Sequence, residues 1–217
     1  MAPRKMQEDS SRNLSPELLS QLALCGDAKW YGRNELLIVE GAVADALYIL
    51  VAGQLKVFTQ DSKGRELVYN ILQPGEFFGE LFLDGGLRSA SVKAVVDSQC
   101  IVFDDLAMCG FMKTYPEFAE CLVYKLIARL RHATQLSKSL ALHDVYERTV
   151  DLLNRIALHE GDMRVVPVTM TQQEIADRVG ATREMINHIL RDLVRGGFLA
   201  RDEKRRLVFS RMLPKRW

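Results

Sequence analysis

The sequence contains no apolar run long enough to cross a membrane: the longest stretch, Ala46 to Gly53, falls far short of the roughly 18 residues that a spanning helix needs. Its four cysteines, Cys25, Cys100, Cys109 and Cys121, form no C-x-x-C pair, which argues against a zinc knuckle, a thioredoxin-type motif and a disulfide framework. They read as buried or idle thiols. No apolar signal core stands in Met1–Asp9, so the cytoplasm is the expected compartment and no membrane partner is expected. Nor is there an excess of one charge, with 29 Lys/Arg against 28 Asp/Glu. What is present is ordinary for a globular protein: 48% hydrophobic and 26% charged residues exclude disorder and fibrous repeats. The 217 residues allow one large domain or two modest ones, each able to bury a core.

The balanced charge hides an asymmetry. Residues 171–217 carry eleven Lys/Arg against six Asp/Glu, which leaves 18 against 22 in the first 170 residues. Basic charge gathered at one end suits a module that meets a polyanion. Three kinds of pattern follow one another along the chain. Residues 1–14 have little to bury and are expected to form a mobile arm. From about Leu18 to Phe103, short β-rich runs such as Leu47–Val51, Gln54–Phe58, Leu67–Leu72 and Cys100–Phe103 alternate with turn signals at Gly53, Ser62-Lys63-Gly64, Pro74-Gly75 and Gly85-Gly86. That spacing suggests a compact antiparallel barrel or sandwich over residues 15–115. Pro116 then opens a stretch to about His143 without glycine or further proline, which predicts one long helix over 116–143.

Two neighbouring stripes run along that helix. One is Ala119, Leu122, Leu126, then polar Arg129, then Ala133, Leu136 and Leu140; the other is Val123, Ile127, Leu130, Thr134, Ser137 and Ala141. A helix packed only on its own barrel needs one stripe. Two stripes fit one packing inward and the other against a second copy in a parallel dimer seam. Residues 144–217 read as a helix containing Val150, Leu152, Leu153 and Ile156, a strand or strap over Arg164–Val168, two short helices, and a charged hairpin over Leu199–Ser210. That order is a winged helix-turn-helix arrangement.

Thr171-Gln172-Gln173-Glu174 is a capping box, so a helix starts there. Ile175, Ala176 and Val179 give it an inner face, Gly180 permits a sharp turn, and Thr182 is a second N-cap. On the helix that follows, Ile186, Ile189, Leu190 and Leu193 must face the core. The opposite face then carries Arg183, Glu184, Asn187, His188 and Arg191, side chains that hydrogen-bond base edges or phosphates. A solvated helix face would look the same, but the caps, the turn glycine, the basic tail and the basic wing Lys204-Arg205-Arg206 together favour double-stranded DNA. Arg183 and Glu184 stand where guanine and cytosine edges would be read in a major groove.

The stretch Thr171–Glu184 resembles the recognition motif of the cyclic-AMP receptor protein and fumarate-nitrate regulator family. The resemblance implies that Arg183 and Glu184 read a G·C-containing half-site, with Thr171, Gln172, Thr182, Asn187, His188 and Arg191 at the same interface. Where the cyclic-AMP receptor branch has a further base-reading arginine, this chain has His188.

A second constellation is Gly75-Glu76-Phe77-Phe78-Gly79-Glu80-Leu81 followed by Leu87-Arg88-Ser89-Ala90. Gly79 lets the backbone come close to something and begins a turn whose amides can cradle an anion. Arg88, Ser89 and those amides suit a phosphate, and Glu80 a sugar hydroxyl; alternatively Glu80 and Arg88 simply pair with each other. These residues resemble the phosphate-binding cassette of cyclic-nucleotide-binding domains, and Asp45–Val57 resembles that domain's early hairpin. The resemblance implies a cyclic-nucleotide site at Gly79, Glu80, Leu81, Arg88, Ser89 and Ala90. It adds Thr134, which reaches the adenine from the long helix, while Ala133 lacks the hydroxyl of its family counterpart.

An iron–sulfur sensor needs several cysteines near the start, where only Cys25 stands, and a haem sensor needs an axial ligand on the barrel, whereas every histidine is on or after the long helix. Cyclic di-GMP needs the same basic donors as cyclic AMP and stays open. His143-Asp144 and His159-Glu160 fall short of the ligand set of a metal-dependent phosphohydrolase, the remote alternative. The chain is therefore expected to be an α+β protein: an N-terminal cyclic-nucleotide-binding β-roll, a long dimerisation helix and a C-terminal winged helix-turn-helix. It is expected to be a homodimeric regulator and not an enzyme, without a prosthetic group or metal. Cyclic AMP is the favoured effector, cyclic di-GMP or ligand-free action the alternative, and RNA polymerase the expected transcription partner.

Overall fold

Helix α1 (Pro16–Cys25) begins on a start signal: the Ser15 hydroxyl accepts from the Leu18 amide at 3.1 Å, with Pro16 and Glu17 in the first turn. The computed structural model describes residues 15–161, 163–166 and 170–214, so the arm expected over 1–14 and the Pro167-Val168 part of the expected strap lie outside the described residues. By its contacts the described chain divides into two units, residues 15–59 with 70–132, and residues 60–69 with 133–214.

The strands that follow α1 are β1 (Asp27–Tyr31), β2 (Leu36–Ile38), β3 (Ala46–Ala52), β4 (Leu55–Gln60), β5 (Glu66–Leu72), β6 (Phe77–Phe78), β7 (Ser91–Ala94) and β8 (Ser98–Asp104). They form two four-stranded sheets, in the orders β1-β8-β3-β6 and β2-β7-β4-β5. Period-two alternation decides which side chain goes where. Leu47 and Ile49 of β3, Phe77 of β6 and Ile101 and Phe103 of β8 pack in one cluster with Leu22, Met108, Phe111, Phe118 and Leu122. The intervening Leu50, Phe78 and Cys100 face the other way and join Ile38, Leu55, Leu72, Val92 and Ala94 from the second sheet. One sheet thus has helices on its outside and the other sheet on its inside, which accounts for the near-continuous apolar run at 46–50. Within that core, burial pushes the Cys100 thiol up to about 12 and keeps it protonated.

The β-rich reading of about Leu18 to Phe103 gives way at its start, and the range 15–115 expected for the barrel holds a second helix after it. Residues 16–25 are α1, and after β8 the Asp104 carboxylate accepts from the Ala107 amide at 2.8 Å to start α2 (Asp105–Thr114). Helix α3 (Pro116–Leu142) is the expected long helix. Of the first stripe Leu122 is buried, as is Phe118 a turn before it, while Leu126 and Leu140 are 36% and 39% exposed; Val123, Ile127 and Leu130 of the other are 53%, 40% and 68% exposed.

After α3, Asp144 caps α4 (Val145–Ile156) in a reciprocal box with Glu147. Strands β9 (Leu158–Glu160) and β10 (Met163–Val165) form a hairpin, α5 (Gln172–Val179) and α6 (Arg183–Arg195) the helix pair, and β11 (Leu199–Arg201) and β12 (Leu207–Phe209) the closing hairpin. The four strands make one antiparallel sheet in the order β11-β12-β10-β9. Its apolar residues Leu199, Leu207 and Phe209 join Leu152, Leu153, Ile175, Ala176, Ile186, Ile189, Leu190 and Leu193 in a single core. Every residue expected on the inner face of the second helix is buried there. Among the described residues no helix is long and apolar enough to cross a membrane.

Candidate functional site

Gly79 and Arg88 are built around each other. Gly79 adopts φ 82, and a Cβ added there would lie 2.8 Å from Arg88 Nη1 and 3.0 Å from the Ala46 carbonyl oxygen, so only glycine fits. Arg88 is buried. Its Nη1 donates to the Gly79 carbonyl at 2.8 Å, and its Nη2 to the Ala46 carbonyl and the Asp45 carboxylate, each at 2.9 Å. These bonds use three of the five guanidinium N–H groups. The main chain of Arg88 is also fixed, its amide donating to Ala42 and its carbonyl accepting from Gly41, both at 2.8 Å. The guanidinium lies 5.8 Å from the centre of the Tyr48 ring, whose hydroxyl burial, and next the Asp45 carboxylate, hold above its usual range.

A 3-10 turn over Glu80–Asp84 follows Gly79. Its first amides, those of Glu80 and Leu81, have no acceptor within such a turn. Leu81 and Ser89 are exposed at its two sides, Ala90 partly buried. Glu80 does not pair with Arg88. Its carboxylate lies 2.5 Å from Arg129 Nη1, with the Glu80 side chain 12% exposed and that of Arg129 32%. Arg129 Nη2 also donates to the Phe77 carbonyl, and the guanidinium stands 5.2 Å from the centre of the Phe77 ring. Arg88 and Glu80 are thus each held by a partner that sequence reasoning did not put in the site, Asp45 for Arg88 and Arg129 for Glu80. Arg129 had left a trace as the single charge interrupting an apolar stripe; Asp45 gave no signal of its own. Thr134 is exposed on α3.

In the C-terminal unit the expected caps are all formed. The Thr171 hydroxyl accepts from the Glu174 amide at 3.1 Å, and the Glu174 carboxylate accepts from the Thr171 amide at 2.7 Å. Gly180 ends α5 at φ 67, and the Thr182 hydroxyl accepts from the Met185 amide at 3.3 Å. Each such cap contributes about 1 kcal/mol, enough to fix where both helices begin. Arg183, Glu184, Asn187, His188 and Arg191 are all exposed on α6. Two of them are tied. Asn187 Oδ1 accepts from Gln172 Nε2 at 2.9 Å, linking the first turn of α5 to α6. His188 Nδ1 lies 2.8 Å from Arg191 Nη2 and its Nε2 3.2 Å from Asp192, so Nε2 carries the proton and Nδ1 accepts.

The basic wing is only partly available. Arg206 is turned inward, its two terminal nitrogens 2.8 and 3.2 Å from the two Glu160 carboxylate oxygens and its Nε 2.7 Å from Asp202. The turn leaves Lys204 and Arg205 exposed, with Arg205 at φ 61, a conformation that side chains other than glycine rarely adopt. The histidine dipeptides do not converge: His143 follows α3, 3.7 Å from Asp151, while His159 lies on β9 opposite Arg164. Among the described residues no three His, Cys, Asp or Glu side chains are grouped to hold a metal ion.

Comparison with known proteins follows the same division. Residues 28–115 match the cyclic nucleotide-binding domain and residues 147–212 the Crp-like helix-turn-helix domain. The chain is 31% identical over 183 residues to a CRP-like cAMP-activated global transcriptional regulator of Mycobacterium tuberculosis, covering 82% of each chain. It is 31% identical over 189 residues to the cAMP-activated global transcriptional regulator CRP of Pasteurella multocida, covering 83% of this chain and 88% of that one. Among solved structures, the c-di-GMP responsive global regulator CLP of Xanthomonas campestris has the same fold, with a TM-score of 0.77 at 22% identity over 94% of this chain and 100% of that one. A CooA mutant from Carboxydothermus hydrogenoformans gives 0.79 at 19% identity over 92% of each. The protein therefore belongs to the family of CRP-like transcription regulators, DNA-binding proteins in which a cyclic nucleotide-binding domain precedes a Crp-like helix-turn-helix.

Proposed function

We propose that the chain is a homodimeric regulator whose affinity for a near-palindromic operator is set by a cyclic nucleotide, with cyclic AMP the first candidate. The observation that carries this reading is the buried Arg88, anchored on the Gly79 carbonyl beside a turn whose first amides have no acceptor within it. A guanidinium with two N–H groups to spare and adjacent turn amides form a phosphate niche. Ser89 completes it, Glu80 accepts from the ribose hydroxyl, and Leu81 and Ala90 line it. Thr134 meets the base, as the family resemblance implies. Residues 15–115 act as the sensor, 116–143 as the dimerising helix, and 144–217 as the DNA-binding domain.

The exposed Val123, Ile127 and Leu130 on α3 support the dimer, since an uncovered apolar stripe on a long helix gains by meeting its symmetry mate. On DNA, Arg183 and Glu184 read base edges, with Asn187 and His188 beside them. Thr171, Gln172, Thr182 and Arg191 hold the backbone. The protein acts in the cytoplasm without catalysis and engages RNA polymerase at its promoters. Two-fold symmetry places the two α6 helices in successive major grooves.

Calorimetric titration with cyclic AMP, cyclic GMP and cyclic di-GMP, paired with operator selection from a random library, tests the reading. One ligand should bind and raise operator affinity. The cyclic di-GMP arm tests the alternative that the c-di-GMP responsive regulator of Xanthomonas suggests. Equal operator occupancy with and without all three would overturn nucleotide control.

A further inference from the structure

One guanidinium in the C-terminal unit is bonded to the ends of two helices. Arg148, in the first turn of α4, donates from Nε to the Val179 carbonyl at 2.8 Å and from Nη2 to the Gly180 carbonyl at 3.4 Å. Its Nη1 donates to the His143 carbonyl at 2.8 Å. Val179 is the last residue of α5 and Gly180 its left-handed cap. His143 directly follows α3, its amide still donating to the Ser139 carbonyl at 3.0 Å. Carbonyls at helix C-termini lack partners within the helix and carry the negative end of the peptide dipoles. Here three of them, from two helices, converge on a single cation.

Arg148 is itself held. Its amide donates to the Asp144 carbonyl at 3.0 Å inside the capping box, in which the Asp144 carboxylate accepts from the Glu147 amide at 2.8 Å. The fork therefore extends from a fixed backbone. A planar guanidinium can direct its N–H groups at separate acceptors in one plane, whereas an ammonium on a flexible stem cannot reproduce that spread. Gly180 is also the residue at which the chain turns from α5 towards α6, so whatever holds its carbonyl holds the entry to the recognition helix.

We propose that Arg148 is a positioning residue for operator binding, fixing the α5–α6 turn against the C-terminus of α3. The proposal rests on reading α6 as the groove reader and α3 as the dimer helix. In such a dimer each reader contacts its own half-site, and the distance between half-sites is matched only if both readers keep a set angle to the shared stalk. Loss of Arg148 leaves the face of α6 intact and frees that angle. Its effect therefore falls on the coupling between half-sites rather than on the contacts within one.

The test uses full-length wild type, Arg148→Gln and Arg148→Lys, with cyclic AMP, cyclic GMP or cyclic di-GMP added. Three kinds of duplex are compared: the operator that wild type selects from a random library, a single half-site, and operators with the half-sites moved by one or two base pairs. Both variants should bind the single half-site as wild type does. They should bind the full operator weaker by on the order of ten-fold and lose the preference for the selected spacing. Retention of charge in Arg148→Lys separates the fork from simple charge compensation. Equal losses on half-site and full operator mean that the reader itself is damaged and overturn the proposal, as does an unchanged spacing preference. A wild type that selects no two-fold operator overturns the DNA-binding reading as well, so the two failures are told apart.

Discussion

Glu80 lies 2.5 Å from Arg129, so the carboxylate that opens the turn after Gly79 is held by a guanidinium of the long helix. With the Glu80 side chain only 12% exposed, this is more than a surface ion pair of about 0–1 kcal/mol. Removing the cation would leave a sheltered carboxylate without its counter-charge and without the partner that fixes its position. Arg129→Leu is expected to weaken cyclic-nucleotide binding by on the order of ten-fold, because a carboxylate no longer held in place is a poorer acceptor for a ribose hydroxyl. Arg129→Lys should fall between the two. Calorimetry checks this; tighter binding in Arg129→Leu would mean that the arginine competes with the ligand.

Gly79→Ala carries a second prediction. The added methyl would meet Arg88 Nη1 at 2.8 Å and the Ala46 carbonyl at 3.0 Å, at a φ of 82 that strains any side chain by about 1–2 kcal/mol. The guanidinium must move. Loss of ligand response with a folded dimer retained is expected, as it is for Arg88→Leu, and sedimentation together with nucleotide titration measures both. Wild-type ligand affinity in either variant would remove Arg88 from the phosphate niche.

Local signals were the most legible part of this sequence. Thr171, Glu174, Gly180 and Thr182 each act over three or four residues, and each forms the contact its spacing calls for. Pro116 likewise marks the start of α3. What depends on partners distant along the chain was not legible. Asp45 meets Arg88 across 43 positions and Arg206 meets Glu160 across 46, and nothing in the neighbourhood of either residue announces its partner. Arg206 therefore read as part of a basic wing when it is a structural tie. Ser15 and Asp104 had the signature of N-caps, but both stand beside β-rich segments, and the strand pattern masked α1 and α2.

That tie gives a pH dependence. Shelter acts to raise the Asp202 carboxyl, but the Arg206 hydrogen bonds and charge outweigh it, so its pKa in the folded chain lies below the ordinary value, while Glu160, then Asp202, hold Arg206 above its own. A depressed carboxylate contributes stability that is present above its unfolded value of about 3.9 and lost as pH falls through the folded value. Asp202→Asn is expected to lower the melting temperature at neutral pH, and the difference from wild type should shrink as the pH falls below the ordinary carboxylate range, where wild type loses the same contribution. Thermal melts of the two proteins across that acid range would show the curves converging; parallel curves would mean that Asp202 is not the group responsible.

Helix α6 supplies the last prediction. Among the described residues none ties Arg183 down, whereas His188 is bonded to Arg191 on one nitrogen and to Asp192 on the other. Arg183→Ala should therefore lose about 1–3 kcal/mol against the selected operator, roughly 5- to 150-fold in affinity, and relax selection at one base pair while leaving the others. His188→Arg behaves differently. It replaces a ring already occupied by its neighbours with a longer fork able to reach a guanine edge, so it should add selectivity for a G·C pair at a position where wild type is tolerant. It also frees Arg191 for a phosphate. Sequencing the operators that wild type and both variants select from one randomised library distinguishes the cases, since a lost phosphate contact weakens every sequence alike and a changed base contact alters only one column. Identical selections by wild type and His188→Arg would place residue 188 outside the groove, and identical selections by Arg183→Ala would do the same for the start of α6.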